Sequence, residues 1–256
     1  MRVNTVKKAL AEGKLQLGCG FGTIRSGEVA RVLAAAGFHW SFVDTEHGGF
    51  DFETVQDICR AATTAGLAPI VRVADLQYSL VARSLDCGAQ GIVFPRVESP
   101  DLLEKAISWT KFPPVGIRGF GLTPTSVDYE KVTIPQIIDH MNENTMVVLQ
   151  IETKLAFDRR EELLSVPGID AVMIGPADLS ISLGVPGEFD HPIMIETCEA
   201  IRDCCIKHGI APGTHTRTPA LAKMWKARGM KFLGCNSDTG MLMMGAQETA
   251  NAVLNS

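Results

Sequence analysis

Eight times along the chain a short apolar run gives way to a stretch whose apolar residues recur at helical spacing. No other feature constrains the fold as much. The runs cover residues 15–20 (LQLGCG), 40–44 (WSFVD), 68–73 (APIVRV), 91–95 (GIVFP), 146–152 (MVVLQIE), 171–175 (AVMIG), 210–214 (IAPGT) and 231–235 (KFLGC). Near-continuous apolar runs of this kind suit parallel strands buried on both faces. The segments between them, such as SGEVARVLAAAG and EKAISWTKF, often stop at Gly or Pro. Strand then helix, repeated eight times in 256 residues, predicts a (β/α)8 barrel. An open doubly wound sheet is the competing architecture, but it wants an early phosphate-binding glycine loop. GCGFG is not GxGxxG, and no partner acid follows it at the required distance.

Two segments lie outside the rhythm. MRVNTVKKALAEGK, ahead of the first run, has the pattern of a short amphipathic helix. Between the fourth and fifth runs lies a glycine-rich insertion, PPVGIRGFGLTPTSVDYEKV, followed by a predicted short helix over 134–141. Insertions of this length in a compact domain are usually functional or mobile. With no linker, low-complexity tract or internal repeat to divide it, the chain reads as one domain, 1–256.

Composition removes several classes of function. The hydrophobic fraction is 46%, enough for a large core, and a net charge of −5 argues against a nucleic-acid surface. No apolar run approaches the roughly 18 residues of a membrane span, and the N-terminus lacks the apolar stretch of a signal peptide. Seven cysteines, an odd number with no CxxC and with Cys204 and Cys205 adjacent, suit neither a disulfide framework nor a zinc site. A reduced cytoplasmic enzyme is the expectation.

In a (β/α)8 barrel the chemistry sits where the C-terminal ends of the strands converge. Polar residues collect at that edge. The second run ends in Asp44, Glu46 and His47, the third in Arg72, the fifth in Gln150 and Glu152, and the sixth in Gly175, Pro176, Ala177 and Asp178. Taken singly, Asp178 is as well explained as the N-cap of the helix DLSISLG, and Arg72 as a rim ion pair. Taken together they describe chemistry. Glu152 and Asp178 are hard oxygen ligands without Cys or His nearby, which suits Mg²⁺ or Mn²⁺. His47 is a candidate general base whose tautomer Asp44 would fix. Arg72 suits an oxyanion developing on a carbonyl or enolate oxygen. This set supports proton abstraction or C–C cleavage beside a carbonyl, while no lysine ends a strand to form a Schiff base.

The motifs AGFHWSFVDTEHG, PIVRV, LDCGAQGIVFP, PPVGIRGFG, VLQIET, GIDAVMIGPADLSISLG and GCNSDTGML, which run through nearly the whole chain, resemble the class II metal-dependent pyruvate aldolases of the HpcH/HpaI family. That resemblance implies reversible cleavage of a 4-hydroxy-2-oxo acid to pyruvate and an aldehyde, through an enolate stabilised by Mg²⁺, Mn²⁺ or Co²⁺. It places the base on His47, the enolate-stabilising cation on Arg72 and a carboxylate supporting the base on Asp86. The metal ligands fall on Glu152 and Asp178, and pyruvate is held by Gln150 with the backbone at Ala177 and Asp178. It further implies a hexamer, a trimer of dimers that exchange the last barrel helix near residues 238–254.

The departures from the family pattern fall on the aldehyde half. They are the small run at Gly20, the FGLTPTSVDYE continuation after GIRG (including residues 123–126), Arg96 and His215. Glu46 stays open between a supporting acid and a packing or subunit contact. Oxaloacetate decarboxylation and citrate-synthase-like condensation use the same groups; a nucleotide thioester there would want a basic patch, for which Arg25, Arg96 and Arg118 are candidates. A barrel that only binds a keto acid is the reading from another class, though a pure binder needs no base.

Overall fold

A computed structural model describes residues 1–255, in which eight parallel strands close on themselves in sequence order. They are β1 (Gln16–Phe21), β2 (Trp40–Asp44), β3 (Ala68–Arg72), β4 (Gly91–Phe94), β5 (Met146–Ile151), β6 (Ala171–Ile174), β7 (Gly213–Thr216) and β8 (Phe232–Ser237). The helices are α1 (Thr5–Ala11), α2 (Glu28–Ala35), α3 (Phe52–Ala65), α4 (Tyr78–Asp86), α5 (Pro100–Ser108) and α6 (Ile134–Asn144). They continue as α7 (Lys154–Asp158), α8 (Arg160–Leu164), α9 (Pro176–Ser182), α10 (Pro192–Lys207), α11 (Pro219–Ala227) and α12 (Asp238–Leu254). β1 pairs with both β2 and β8, so the barrel is closed and an open sheet is excluded.

Seven strands fall on the predicted runs to within two residues. The seventh lies further on. Pro212 has no N–H to give to a ladder, and Ala211 makes only an isolated bridge to Ala171. The strand instead takes in the polar residues Thr214, His215 and Thr216, whose threonine hydroxyls bond the Ile174 and Gly234 carbonyls of neighbouring strands at 3.2 and 3.1 Å.

Alternation along each strand feeds two cores, which is why the runs are apolar throughout. Val71, Ile92, Leu149 and Ile174 point outward against helix residues such as Ile58, Leu103 and Ile201. Trp40, Ile70, Val93, Met146, Met173 and Phe232 point into the barrel, where Trp40 stacks on Phe232 at 4.0 Å. α1 adds Val6 and Leu10 to this inner core. It is pinned at the end where strands begin: the Asn4 side chain caps Lys7 and donates to the Gln90 carbonyl (2.9 Å), and Lys7 reaches Thr145 O and Asp170. The barrel floor is therefore plugged.

The opposite edge is open and polar. β2 and β3 run in a register that sets Asp44 directly beside Arg72. Asp51 caps α3 through the Thr54 N–H at 2.8 Å, and Gly66 closes that helix in the left-handed conformation. Between β1 and β8 the register slips: Gly18 faces Gly234, but Gly20 faces Ser237. The extra residue falls on a bulge containing Asn236, whose φ is +62°, a region that Asn tolerates better than most residues. α12 leaves this edge with Leu242, Met243, Met244 and Leu254 more than half exposed. Among the described residues no helix is long and apolar enough to cross a membrane.

Candidate active site

Strand register brings the first pair together. Arg72, 7% exposed, donates from Nε to Asp44 Oδ1 at 2.9 Å and from Nη2 to Oδ2 at 2.6 Å. Its Nη1 stands 3.0 Å from Glu46 Oε2, and the guanidinium lies 5.1 Å from the Phe42 ring centroid. Such a two-pronged contact fixes the plane of the cation as well as its position. Burial pushes the Asp44 carboxyl up. The hydrogen bonds and charge of Arg72, with the N–H groups of His47 and Glu46, outweigh this and hold it below the usual carboxylate range.

Glu46 bridges two cations, because Arg96 Nε is 3.2 Å from its Oε1. Arg96 has a left-handed backbone (φ +54°), which turns its N–H onto Glu152 Oε1 at 2.9 Å, and its Nη2 lies 3.5 Å from Asp178 Oδ1. Glu152 is 2% exposed. Gln150 Nε2 donates to its other oxygen in a short contact, and Gln150 Oε1 is buried with no partner. Gly175 makes room for this pair: a Cβ there would fall 2.8 Å from both Gln150 Nε2 and Glu152 Oε2. Burial, reinforced by the charges of Glu46 and Asp178, raises the Glu152 pKa. Asp178 lies in the first turn of α9, with Gly175 at the N-cap, so the capping role considered for it is not observed. Two carboxylates, an orphaned amide oxygen and a pKa raised first by burial and then by neighbouring negative charge are what a hard divalent cation would relieve.

His47 is exposed, and its Nε2 stands 4.0 Å from Glu46 Oε1. The expected link from Asp44 to this imidazole is replaced by one to its backbone: Asp44 Oδ1 accepts from the His47 N–H at 3.2 Å, while Arg72 takes both carboxylate oxygens. Glu46 is the acid nearest the ring. Asp86 is elsewhere. It closes α4 and accepts from Arg118 Nη2 at 2.7 Å, in a second cavity shared with Arg60, Thr125, Ser126 and His140. Among the described residues no hydrogen bond or ion pair joins Asp86 to His47 within the chain. Of the 123–126 segment, which runs into a 3₁₀ turn (Pro124–Val127), Thr125 and Ser126 line that second cavity too. Arg118 is 3% exposed and committed to Asp86, which removes it from any basic patch at the mouth.

The mouth opens into a cavity of about 520 Å³ lined by Gly20, Asp44, His47, Arg72, Gln150, Ala177, Asp178 and His215. The N–H groups of Ala177 and Asp178 belong to the first turn of α9, which leaves them without intrahelical acceptors. His215 lies within β7, not after it, and its pKa is brought down to about 4, chiefly by burial, with the Arg72 charge adding to the effect. An apolar annex of Phe189, Met194, Cys198, Leu221 and Trp225 extends the cavity. In sequence these residues, four of them on α10 and α11, are indistinguishable from ordinary core. Glu161, Cys204 and His208 also converge on the outer surface, but Lys207 already neutralises Glu161 at 2.8 Å. All seven cysteines are buried and unpaired.

The family model for HpcH/HpaI aldolase/citrate lyase matches residues 21–245. A 4-hydroxy-2-oxo-heptane-1,7-dioate aldolase of Salmonella dublin is 35% identical over 250 residues, 96% of this chain and 93% of the relative. The crystal structure of an HpcH/HpaI aldolase from Desulfitobacterium hafniense superposes with a TM-score of 0.90 at 29% identity, covering 96% of this chain and 95% of that one. The citrate synthase SbnG superposes at 0.84 with 26% identity, covering 96% of each chain. With the closed barrel and its polar mouth, these likenesses make the protein a carbon–carbon lyase of the aldolase type that belongs to the HpcH/HpaI aldolase/citrate lyase family.

Proposed function

We propose that the protein reversibly cleaves a 4-hydroxy-2-oxo acid to pyruvate and an aldehyde. The observation that carries this is a buried guanidinium, Arg72, held rigidly by Asp44 and Glu46 at the same mouth as the carboxylates of Glu152 and Asp178. Glu152 and Asp178 would hold Mg²⁺, Mn²⁺ or Co²⁺. When bound, the cation supplies Lewis-acid polarisation of the keto acid's carbonyl. Gln150 and the N–H groups of Ala177 and Asp178 hold the pyruvate carboxylate. In cleavage His47 removes the proton of the C4 hydroxyl, the C3–C4 bond breaks, and its electron pair passes into the enolate of pyruvate as the aldehyde leaves. Arg72 offers preorganised N–H groups to the enolate oxygen. The imidazolium, steadied by Glu46, then returns the proton to the enolate carbon. Asp86 has no part in these steps within one chain. The same reading takes the chain to be one domain, resident in the cytoplasm with its thiols reduced, and assembled as a hexamer that exchanges α12. Citrate-synthase-like condensation is the second reading, favoured by the likeness to SbnG; it uses the same base and cation with a different electrophile.

The test needs no aldehyde. Protein with metal should exchange the methyl protons of pyruvate with deuterated solvent, followed by proton NMR. His47→Ala should slow exchange by about 10²–10⁴-fold and Arg72→Ala by about 10²–10³-fold. Wild-type protein that binds pyruvate and metal but never exchanges those protons would refute the enolate mechanism.

A further inference from the structure

We propose that His215 selects the electrophile, and that it selects an aldehyde carrying a hydroxyl group. The inference rests on the aldolase reading above and names the substrate class for its second half.

The imidazole sits in a slot made for it. A Cβ on Gly234 would fall 2.1 Å from its Cδ2, and one on Gly20 would fall 3.1 Å from its Cε1, so two backbone positions forgo side chains where the ring lies. The space above Gly20 is thus occupied by His215, with the Asn236 carbonyl 3.0 Å from that same Cβ position. Phe42 flanks the ring at 5.4 Å between centroids.

The tautomer follows from one contact. His215 Nε2 is 3.0 Å from the carbonyl oxygen of Asn236, which the bulge in β8 and the left-handed Asn236 backbone turn toward it. A carbonyl only accepts, so Nε2 carries the hydrogen and Nδ1 is a bare lone pair. Among the described residues Nδ1 has no hydrogen-bond partner, it is not sealed in, and the ring lines the cavity beside Gly20, Arg72 and Ser237. The depressed pKa keeps the ring neutral near pH 7, so it remains an acceptor.

An acceptor at this place rewards O–H and repels a carboxylate. An aldehyde carbonyl offers no donor, so the donor must be a hydroxyl elsewhere on the molecule. The aldol product then carries a further hydroxyl beyond C4, in contrast to the dioate named for the Salmonella dublin relative.

The experiment compares kcat/KM for lactaldehyde and propanal, which differ by one hydroxyl, each with pyruvate and Mn²⁺, alongside succinic semialdehyde. Wild-type protein should favour lactaldehyde over both by roughly tenfold or more, because a polar group built to meet a hydroxyl discriminates against its absence. His215→Leu should erase most of that ratio. His215→Gln, which can still donate to Asn236 and present an oxygen, should keep a preference for lactaldehyde. Wild-type protein that exchanges pyruvate protons yet uses propanal or the semialdehyde as well as lactaldehyde overturns this assignment alone. So does His215→Leu with an unchanged ratio. Wild-type protein without proton exchange overturns the aldolase reading beneath it.

Discussion

Replacing Gly175 with alanine adds one methyl group at the point where Gln150 and Glu152 pack against its backbone. That carbon would fall 2.8 Å from Gln150 Nε2, 2.8 Å from Glu152 Oε2 and 2.9 Å from Glu152 Cβ, all well inside ordinary contact distance. Rotating the two side-chain ends away does not suffice, because Glu152 Cβ is close to its own backbone. Glu152 is also tied to the Arg96 N–H at 2.9 Å, so a shift large enough to relieve the overlap strains that bond. Overpacking of this kind costs about 1–3 kcal/mol, or roughly 2–12 °C in melting temperature at about 2–4 °C per kcal/mol for domains approaching this size. The effect on chemistry should be larger than the effect on stability. A displacement approaching 1 Å in a positioned group can lose about 10²-fold in rate, so pyruvate proton exchange should fall by about that factor while the protein stays folded. Mn²⁺ titration by calorimetry should show weakened binding in the same variant. A Gly175→Ala protein with wild-type Mn²⁺ affinity and exchange rate would refute the argument that Glu152 and Gln150 work from the positions described.

Glu152→Gln and Asp178→Asn should each abolish metal-dependent activity, and excess chelator should do the same to wild-type protein, with recovery on adding Mg²⁺, Mn²⁺ or Co²⁺; full activity in chelator contradicts the ligand assignment. Asp44 has a depressed pKa, so it contributes stability that is complete above the ordinary carboxylate range and is lost as pH falls through the depressed value. Asp44→Asn should therefore flatten the acid side of a plot of melting temperature against pH, and an unchanged acid side counts against the Arg72 pairing. Cys19→Ala and Cys235→Ala should keep most activity, since burial raises both thiols, Cys19 to about 12; a large loss without unfolding means a thiol takes part. Met243→Lys with Met244→Lys should lower the mass seen by analytical ultracentrifugation, and a monomeric wild-type protein contradicts helix exchange.

The barrel and the strand-end polar residues of its mouth were legible because a parallel strand buried on both faces leaves almost no place for polar residues except at its end. Arg72, Gln150, Glu152 and Asp178 stand out in sequence for that reason, and folding brings them together. Pairing within the mouth was not legible. Asp44 meets the Arg72 side chain, not the His47 ring, because β2 and β3 share a register that spacing along one strand does not reveal. Arg96 reaches Glu46 and Glu152 only through a left-handed backbone, which nothing in its neighbours announces. The family resemblance ties Asp86 to His47, and residues 123–126 depart from the family pattern on the aldehyde half, but the chain folds Asp86, Thr125 and Ser126 into a separate cavity with Arg118 and His140 nearby. β7 was misplaced because its strand character lies in threonines that bond across to β6 and β8, while the apolar residues before it are interrupted by Pro212.

The floor plug formed by α1 has a consequence for the order of events during turnover. With Val6 and Leu10 packed among Trp40, Met146 and Phe232, the barrel is a tube with one open end. Whatever sits deeper can neither arrive after nor depart before the molecule above it. If pyruvate binds as proposed, on Gln150 and the first turn of α9, and takes the inner place, the aldehyde would lie outward of it. Cleavage then releases the aldehyde first and pyruvate last, and synthesis loads them in the reverse order. Product-inhibition kinetics read this sequence directly: pyruvate should compete with the cleavable substrate for the empty enzyme, whereas the aldehyde should inhibit noncompetitively, and competitive inhibition by both would mean that traffic is not confined to one end.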